Sequence, residues 1–532
     1  MGRLHRRTGH LVSITERLPN ACGFVTFRTM FFRILILTGF ALSIVPARAE
    51  TPDSQTTAHV FDRLRNDPAR LTLFLRAFPK GGDLHNHLAG AIPAEDYLRW
   101  AGEDGLCVSL PQGRILPGKC RVATPGDLPA TQLAAHDEAR QVMIDSLSMH
   151  DFVPTPLDRS GHDHFFSTFG RFAPVLATHQ GEMLAQARDQ AAADHIVYLE
   201  LMISPALGAM ARAGEAHPLP GTDYDAAHRA LDTDRAHLVS LARQETDTME
   251  HDAQDILHCD TPQAHPGCSV TVRYLFQAIR TMSPAQVFAQ LDTAYQLVHE
   301  DPRFVGVNFV APEDNPVAMK DYAQHMQIFA AQNARHPDVK LSLHAGELTP
   351  SLVPANGLDN HIRQAVEIAG ASRIGHGVDI LWEHDAPGLL HEMAQRRIAV
   401  EVNLTSNDQI LGVSGKSHPL SVYRRAHVPV TLSTDDQGVS RSNLTQEYRR
   451  AIATARLGYA DLKAISRNSL TYAFIPGTSL WDGDHVITLC RAPQSFACAN
   501  FLRKSEKARL QFQLERNLAA FEAMVSHEPL FQ

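Results

Sequence analysis

Two histidines one residue apart carry the strongest chemical signal in this 532-residue chain: His85 and His87, in Lys-Gly-Gly-Asp-Leu-His-Asn-His-Leu-Ala-Gly (80–90). Side chains two apart on a strand point to the same face. A strand through 83–87 therefore presents two imidazoles together, which is half of a metal site. Three segments far downstream offer the rest: Ser-Leu-His-Ala-Gly-Glu (342–347), Gly-His-Gly (375–377) and Ser-Thr-Asp-Asp (433–436). Among 29 histidines a single one is ordinarily a surface or structural residue, and His344 alone would mean little without Glu347 three residues on. As a set, three imidazoles and a carboxylate suit Zn²⁺. The chemistry they point to is hydrolysis assisted by one bound metal.

The elements that must position these groups are legible as short, mostly apolar, β-branched runs. They cover 83–87, 196–203, 270–276, 304–310, 339–343, 372–375, 398–404 and 428–433. Helix-like stretches lie between them, among them 321–335, 361–369, 386–397 and 444–456. Apolar strands alternating with helices mean a parallel sheet covered on both faces. Eight such units predict an α/β fold, a (β/α)₈ TIM barrel. Long loop and helical excursions follow strand 1 (88–195) and strand 2 (204–269), and a C-terminal helical extension (457–532) includes a helix at 504–525. Barrel enzymes carry their catalytic groups at the C-terminal ends of strands. His85 and His87 then end strand 1, His344 strand 5, His376 strand 6, and Asp435 and Asp436 strand 8.

Composition is that of an ordinary globular chain, 44% hydrophobic and 20% charged. A formal charge of −9 argues against a basic nucleic-acid surface. The N-terminus reads as a signal peptide over residues 1–49, with Met30 as an alternative start. An apolar stretch at 34–45 follows Arg28 and Arg33, and Ala47-Arg48-Ala49 supplies a small-x-small cleavage site. Twelve residues are too few to span a bilayer, and Glu50 is no lipid acceptor. Residues 1–49 hold seven Arg and one Glu, so the chain from Glu50 on has a formal charge of −15. That places one barrel domain, 50–532, in the periplasm or outside the cell, with no membrane attachment once the leader is removed. Of seven cysteines, Cys22 falls in the leader. The others form three close pairs, Cys107/Cys120, Cys259/Cys268 and Cys490/Cys498, whose proximity favours three local disulfides in an oxidising compartment. The first two pairs are expected in the loops at the top of the barrel.

Four of these segments resemble the metal-dependent adenosine deaminase family of the amidohydrolase superfamily. They are Gly-Asp-Leu-His-Asn-His-Leu-Ala-Gly-Ala (82–91), Leu-His-Ala-Gly-Glu (343–347), Arg-Ile-Gly-His-Gly (373–377) and Leu-Ser-Thr-Asp-Asp-Gln-Gly-Val (432–439). Val-Glu-Val-Asn-Leu-Thr-Ser-Asn (400–407) is similar to the family's strand 7. The export signal, the Phe-Pro-Lys-Gly-Gly-Asp lead-in and the cysteine loops resemble its secreted, growth-factor-related branch. The likeness spans roughly 70–475. It implies that His85, His87, His344 and Asp435 bind one Zn²⁺ per chain, which activates a water. His376 would orient that water, Glu347 would protonate purine N1, and Asp436 would contact N7. His87, Ala311 and Gly346 would join Asp436 in lining the substrate pocket. Glu401 is either a support for the metal ligands or half of a buried ion pair. The implied reaction is hydrolytic deamination of adenosine or 2′-deoxyadenosine to the corresponding inosine and ammonia.

Three positions depart from the family pattern. Ala89 stands where adenosine-specific members often have Asp, Ala311 where many have Gly, and Asn308 where an acid is common. Adenine or a modified adenosine is therefore an alternative substrate. The cytidine-deaminase type needs His-x-Glu with Pro-Cys-x-x-Cys, which this chain lacks. A binuclear site would call for a Lys or acid on strand 4, and 304–310 has neither. A secreted, non-catalytic nucleoside-binding or signalling protein is the alternative of another class, and ammonia release separates it from the enzyme.

Overall fold

The computed structural model describes residues 52–531 except 123, 157 and 484. The leader-like segment 1–49, with Cys22, lies outside the described residues. Eight parallel strands form a barrel: β1 (Gly81–His87), β2 (Ile196–Ile203), β3 (Thr271–Ile279), β4 (Phe304–Val310), β5 (Ser342–Ala345), β6 (Arg373–His376), β7 (Ala399–Val402) and β8 (Val430–Leu432). β1 to β4 pair in order, and so do β5 to β8. Parallel bridges between Val307 and Leu341 and between Asn86 and Asp435 close the ring. The second closure matters for chemistry. The His87 N–H donates to the Asp435 carbonyl (3.1 Å) and the Asp435 N–H to the His85 carbonyl (2.9 Å). The first and last strands thus bring their histidines and aspartate to one height.

β2 is buried along its whole length, as a near-continuous apolar run in a parallel sheet requires, and β1 is equally buried although Leu84 is its one aliphatic side chain. β5 and β6 lie further toward the C-terminus than their runs suggest, and β7 and β8 are shorter than theirs. β5 is Ser342–Ala345, so His344 sits within it. β8 begins at Val430, because Pro429 has no N–H for the ladder. The 398–404 run ends as a strand at Val402, and a buried helix, Leu404–Leu411, continues it. Apolar periodicity cannot separate a short buried strand from the first turn of a buried helix.

The excursion after β1 folds into helices Ala94–Glu103, Asp137–Leu147, Gly161–Phe172 and Gln180–Ala193, with a small antiparallel sheet through Cys107–Ser109. Three disulfides join Cys107 to Cys120, Cys259 to Cys268 and Cys490 to Cys498. The second is not in a loop at the top of the barrel. It follows helix Asp232–Ile256 and precedes β3, on the return to the opposite face. There, ahead of β1, Phe74 and Phe78 pack edge-on against Phe521 of the C-terminal helix Glu506–His527 (centroids 5.0 and 5.6 Å apart). No described helix is long and apolar enough to cross a membrane.

Candidate active site

At the C-terminal mouth of the barrel, His85, His87, His344 and Asp435 turn their ligand atoms to one point. His85 Nε2 lies 3.0 Å from His344 Nε2 and 3.3 Å from an Asp435 oxygen. His87 Nε2 lies 3.2 Å from each of the same two groups. Each imidazole has its other nitrogen against an oxygen: His85 Nδ1 on Glu401 (2.7 Å), His87 Nδ1 on Gln277 (2.8 Å) and His344 Nδ1 on Asn308 (2.8 Å). The Asn308 oxygen is identified by its neighbours, since its amide nitrogen donates to Met202 Sδ at 3.0 Å. With Nδ1 protonated on each ring, three Nε2 lone pairs and a carboxylate face one another. Lone pairs so placed cannot hydrogen-bond among themselves; they need either a metal ion or a further proton on one of the rings. Four atoms each about 2.0–2.1 Å from a tetrahedral ion lie about 3.3 Å apart, close to the separations seen. The residues fit a zinc-type ion.

The surrounding charges support that role. Burial works against protonating His85, but hydrogen bonds to Asp435 and Glu401 push it up to about 10, so a cation there displaces a proton. Burial and the neighbouring imidazoles hold His344 well below its usual value. Glu401 both accepts from His85 and pairs with buried Arg373, while Ser342 Oγ donates to it at 2.7 Å. It is a ligand support and an ion-pair partner at once.

Three more groups face the same space. Burial, reinforced by Asp435, pushes Glu347 well above the usual carboxylate range and favours its acid form. The same two influences raise Asp436. Asp435 and Asp436 lie beyond the end of β8, and Asp435 has a φ of +58°, so their divergence is that of a turn and not of strand alternation: Asp435 meets the histidines, while Asp436 faces the cavity, one of its oxygens buried without a partner. The Asp436 carboxyl packs so tightly on Gly90 that a Cβ there would come within 1.6 Å of it. His376 Nε2 lies 4.0 Å from Asp435, and burial lowers its pKa to about 3.

The cavity above these groups measures about 290 Å³. His87, Gln277, His344, Glu347, His376, Asp435 and Asp436 form one wall. Ala89, Phe165, Phe166, Phe169, Ile279, Val310, Ala311 and Pro312 form the other. Gly346 does not line it: its N–H is turned away onto Glu313 (3.1 Å), at a φ of +76° that suits glycine. Ala311 does line it, at φ +85°, a strained value for any residue with a Cβ.

Several groups here escape a reading of the sequence. Glu313 accepts the N–H groups of Gly346 and Glu347 (3.1 and 2.9 Å) and a 2.6 Å hydrogen bond from His361, with Arg280 at 3.7 Å. Burial raises its pKa, but those partners outweigh it and hold Glu313 at about 2. It anchors the turn that aims Glu347. Gln277 and the three phenylalanines are equally invisible, because nothing in their own segments marks them; Asn407 closes the 400–407 segment that resembles the family's strand 7, but that likeness gives it no role.

A parallel barrel with a His₃Asp cluster at its strand ends defines a class of metal-site barrel proteins. The adenosine deaminase family profile matches residues 147–480, and the chain belongs to that family. His344, Glu347, His376, Asp435 and Asp436 fall inside the matched stretch; His85 and His87 precede it. An adenosine deaminase of Clostridium perfringens is 30% identical over 189 residues, covering 35% of this chain and 52% of that protein. The chain thus spans about half the length of that relative. One from Mycobacterium bovis is 25% identical over 404 residues, 74% of this chain and 89% of that one. Among solved structures, the fold is similar to an N6-methyl-AMP deaminase of Arabidopsis thaliana (TM-score 0.51, 16% identity, 84% and 98% covered). It is also similar to an adenine deaminase of Arthrobacter aurescens (0.50, 15%, 82% and 98%).

Proposed function

We propose that this chain is a zinc-dependent deaminase of 6-aminopurine nucleosides, acting on adenosine or 2′-deoxyadenosine. The observation that carries the reading is a single cavity holding both the converging His₃Asp set and a buried glutamic acid. An ion held by His85, His87, His344 and Asp435 supplies Lewis-acid activation of a water near neutral pH. Glu347, in its acid form, donates to purine N1 and makes C6 electrophilic. Asp436, also raised, donates to N7 and fixes the ring. His376 steadies the oxygen that attacks C6. The C6–O bond forms, the C6–N bond breaks, and ammonia leaves with the transferred protons.

The cavity wall favours an uncharged substrate. Among the described residues no Lys or Arg lines it, so a 5′-phosphate would find no charged partner there. That supports a nucleoside over AMP, although the Arabidopsis neighbour is an N6-methyl-AMP deaminase. Ala89 offers no group to grip a ribose hydroxyl. We also read the protein as periplasmic or secreted, in the growth-factor-related branch. The leader-like sequence and three disulfides support this, and fractionation with N-terminal sequencing of the mature chain checks it. The activity test is ammonia release and loss of aminopurine absorbance across adenosine, 2′-deoxyadenosine, adenine, AMP and N6-methyl-AMP. Adenosine should lead the panel. Binding without ammonia release would make it a nucleoside-binding protein, and a lead for adenine or AMP would overturn the substrate.

A further inference from the structure

Behind His376 lies a run of buried polar groups that the reaction itself does not use. Asn407, on helix Leu404–Leu411, places its amide nitrogen 2.9 Å from His376 Nδ1. Its amide oxygen lies 3.0 Å from His418 Nε2. His418 Nδ1 in turn faces the Leu420 backbone N–H at 3.1 Å. Asn407 is fully buried and His418 nearly so.

The direction of every hydrogen bond in this run follows from its far end. A backbone N–H can only donate. His418 Nδ1 must therefore accept, and burial, which lowers the His418 pKa to about 4, keeps that ring neutral. A neutral imidazole with an accepting Nδ1 carries its proton on Nε2. That proton goes to the Asn407 oxygen, so the Asn407 amide nitrogen faces His376 and donates to Nδ1. His376 is then left with its proton on Nε2, the nitrogen facing Asp435 across the reacting space. Two nearby groups leave this unchanged. The Asn403 amide nitrogen, 3.5 Å from both ring nitrogens, is too distant to reverse the assignment. One Glu347 oxygen lies at the same 3.5 Å from Nδ1, too far to compete there with Asn407.

We infer that Asn407 and His418 are positioning residues that lock His376 in its Nε2–H form, so that it always presents a donor to the attacking oxygen. The role assigned to that donor rests on the deaminase reading; the tautomer itself does not. In the opposite tautomer, Nε2 would turn a lone pair toward Asp435 and toward the oxygen it is meant to steady. A neutral ring fixed as a donor also stays the same through the cycle.

The test reads the ring directly. Side-chain ¹⁵N spectra of the zinc-loaded protein, without substrate, report which nitrogen of each neutral histidine is protonated, and the His376 signals are identified by their loss in His376→Gln. Wild type should show protonated Nε2 and bare Nδ1. Asn407→Asp replaces the donor with an acceptor of the same shape and should move the proton to Nδ1. Turnover should then fall at least about 10²-fold, the scale on which a mis-set catalytic imidazole is felt, with KM within about threefold. His418→Ala frees the Asn407 amide to turn over and should give a mixture of the two forms with a smaller loss; His418→Gln, which can still donate to Asn407, should restore much of it. An Nδ1–H ring in wild type, or a His376 tautomer unmoved in both Asn407→Asp and His418→Ala, overturns the inference. If wild type released no ammonia from any aminopurine while the spectra behaved as described, the deaminase reading would fall and the tautomer lock would stand.

Discussion

The two walls of the cavity are built in different ways. The polar wall comes largely from strand ends: β1, β5, β6 and β8 each deliver a group whose height and direction the barrel sets, and hydrogen bonds from β1 to β8 tie the set together. The other wall joins residues at the ends of β1, β3 and β4 to an aromatic part supplied by helix Gly161–Phe172 of the long excursion, which presents Phe165, Phe166 and Phe169. The helix is itself held by side chains. His162 meets Asp314 (2.9 Å), in the segment after β4, and Arg171 pairs with Asp158 (2.5 Å). On the proposed function, chemistry falls to the rigid ring and substrate choice to an appended element, the division that lets one barrel serve several substrates.

The sharpest way to break that division is on the polar wall. Elemental analysis of protein purified without added metal should give about one zinc per chain, and a chelator should take turnover to background until Zn²⁺ is returned. Full turnover from metal-free protein would undo the assignment. Next in size, Glu347→Gln should keep its zinc and lose at least about 10²-fold in kcat; loss of zinc would make Glu347 a ligand instead. On the aromatic wall the effect should be smaller and of another kind. Phe166→Ala removes apolar contact of the order of 1.5 kcal/mol, so KM should rise about tenfold with kcat nearly unchanged. A fall confined to kcat would place the aromatic helix in the chemistry.

Two further measurements sharpen the comparison at its edges. With Ala89 in place of a hydroxyl-binding carboxylate, 5′-deoxyadenosine should be deaminated within about tenfold of adenosine in kcat/KM, because no side chain at that position is left unpaired. A loss of 10³-fold would mean that the excursion supplies the missing grip. The smallest effect is on stability. Glu313 stays ionised in the folded protein down to about pH 2, against 4.5 for an ordinary Glu. Its contribution is therefore complete above pH 4.5 and fades as the pH falls toward 2. The Tm of Glu313→Gln, lower than wild type at pH 7, should converge on it through that window. A constant gap would show that the Glu313 charge is not what holds the Glu347 turn.

Legibility in the sequence followed the same division. His85 and His87 could be paired from their spacing alone, since a strand sends i and i+2 to one face. His344, Glu347, His376 and Asp435 could be joined to them because each follows an apolar run, and a parallel barrel brings all such ends to one rim. The ends of β5 to β8 were displaced by a few residues, where apolar content alone does not say whether a buried segment is extended or helical.

What the amino-acid order determined by itself is therefore the barrel, the residue types at its rim and the local pairing of the six later cysteines, all of which depend on short-range periodicity or proximity. What only the tertiary structure decided is the set of partners that give those residues their states. Glu313 meets the Gly346–Glu347 turn from more than thirty residues upstream, and Glu401 meets His85 from 316 residues downstream. Asn407 reaches His376 from a helix whose start reads in sequence as the end of a strand, and His418, beyond that helix, reaches Asn407 in turn. Protonation, tautomer and strain are properties of a packed neighbourhood with water removed, and no spacing rule along one chain encodes which distant groups will form it.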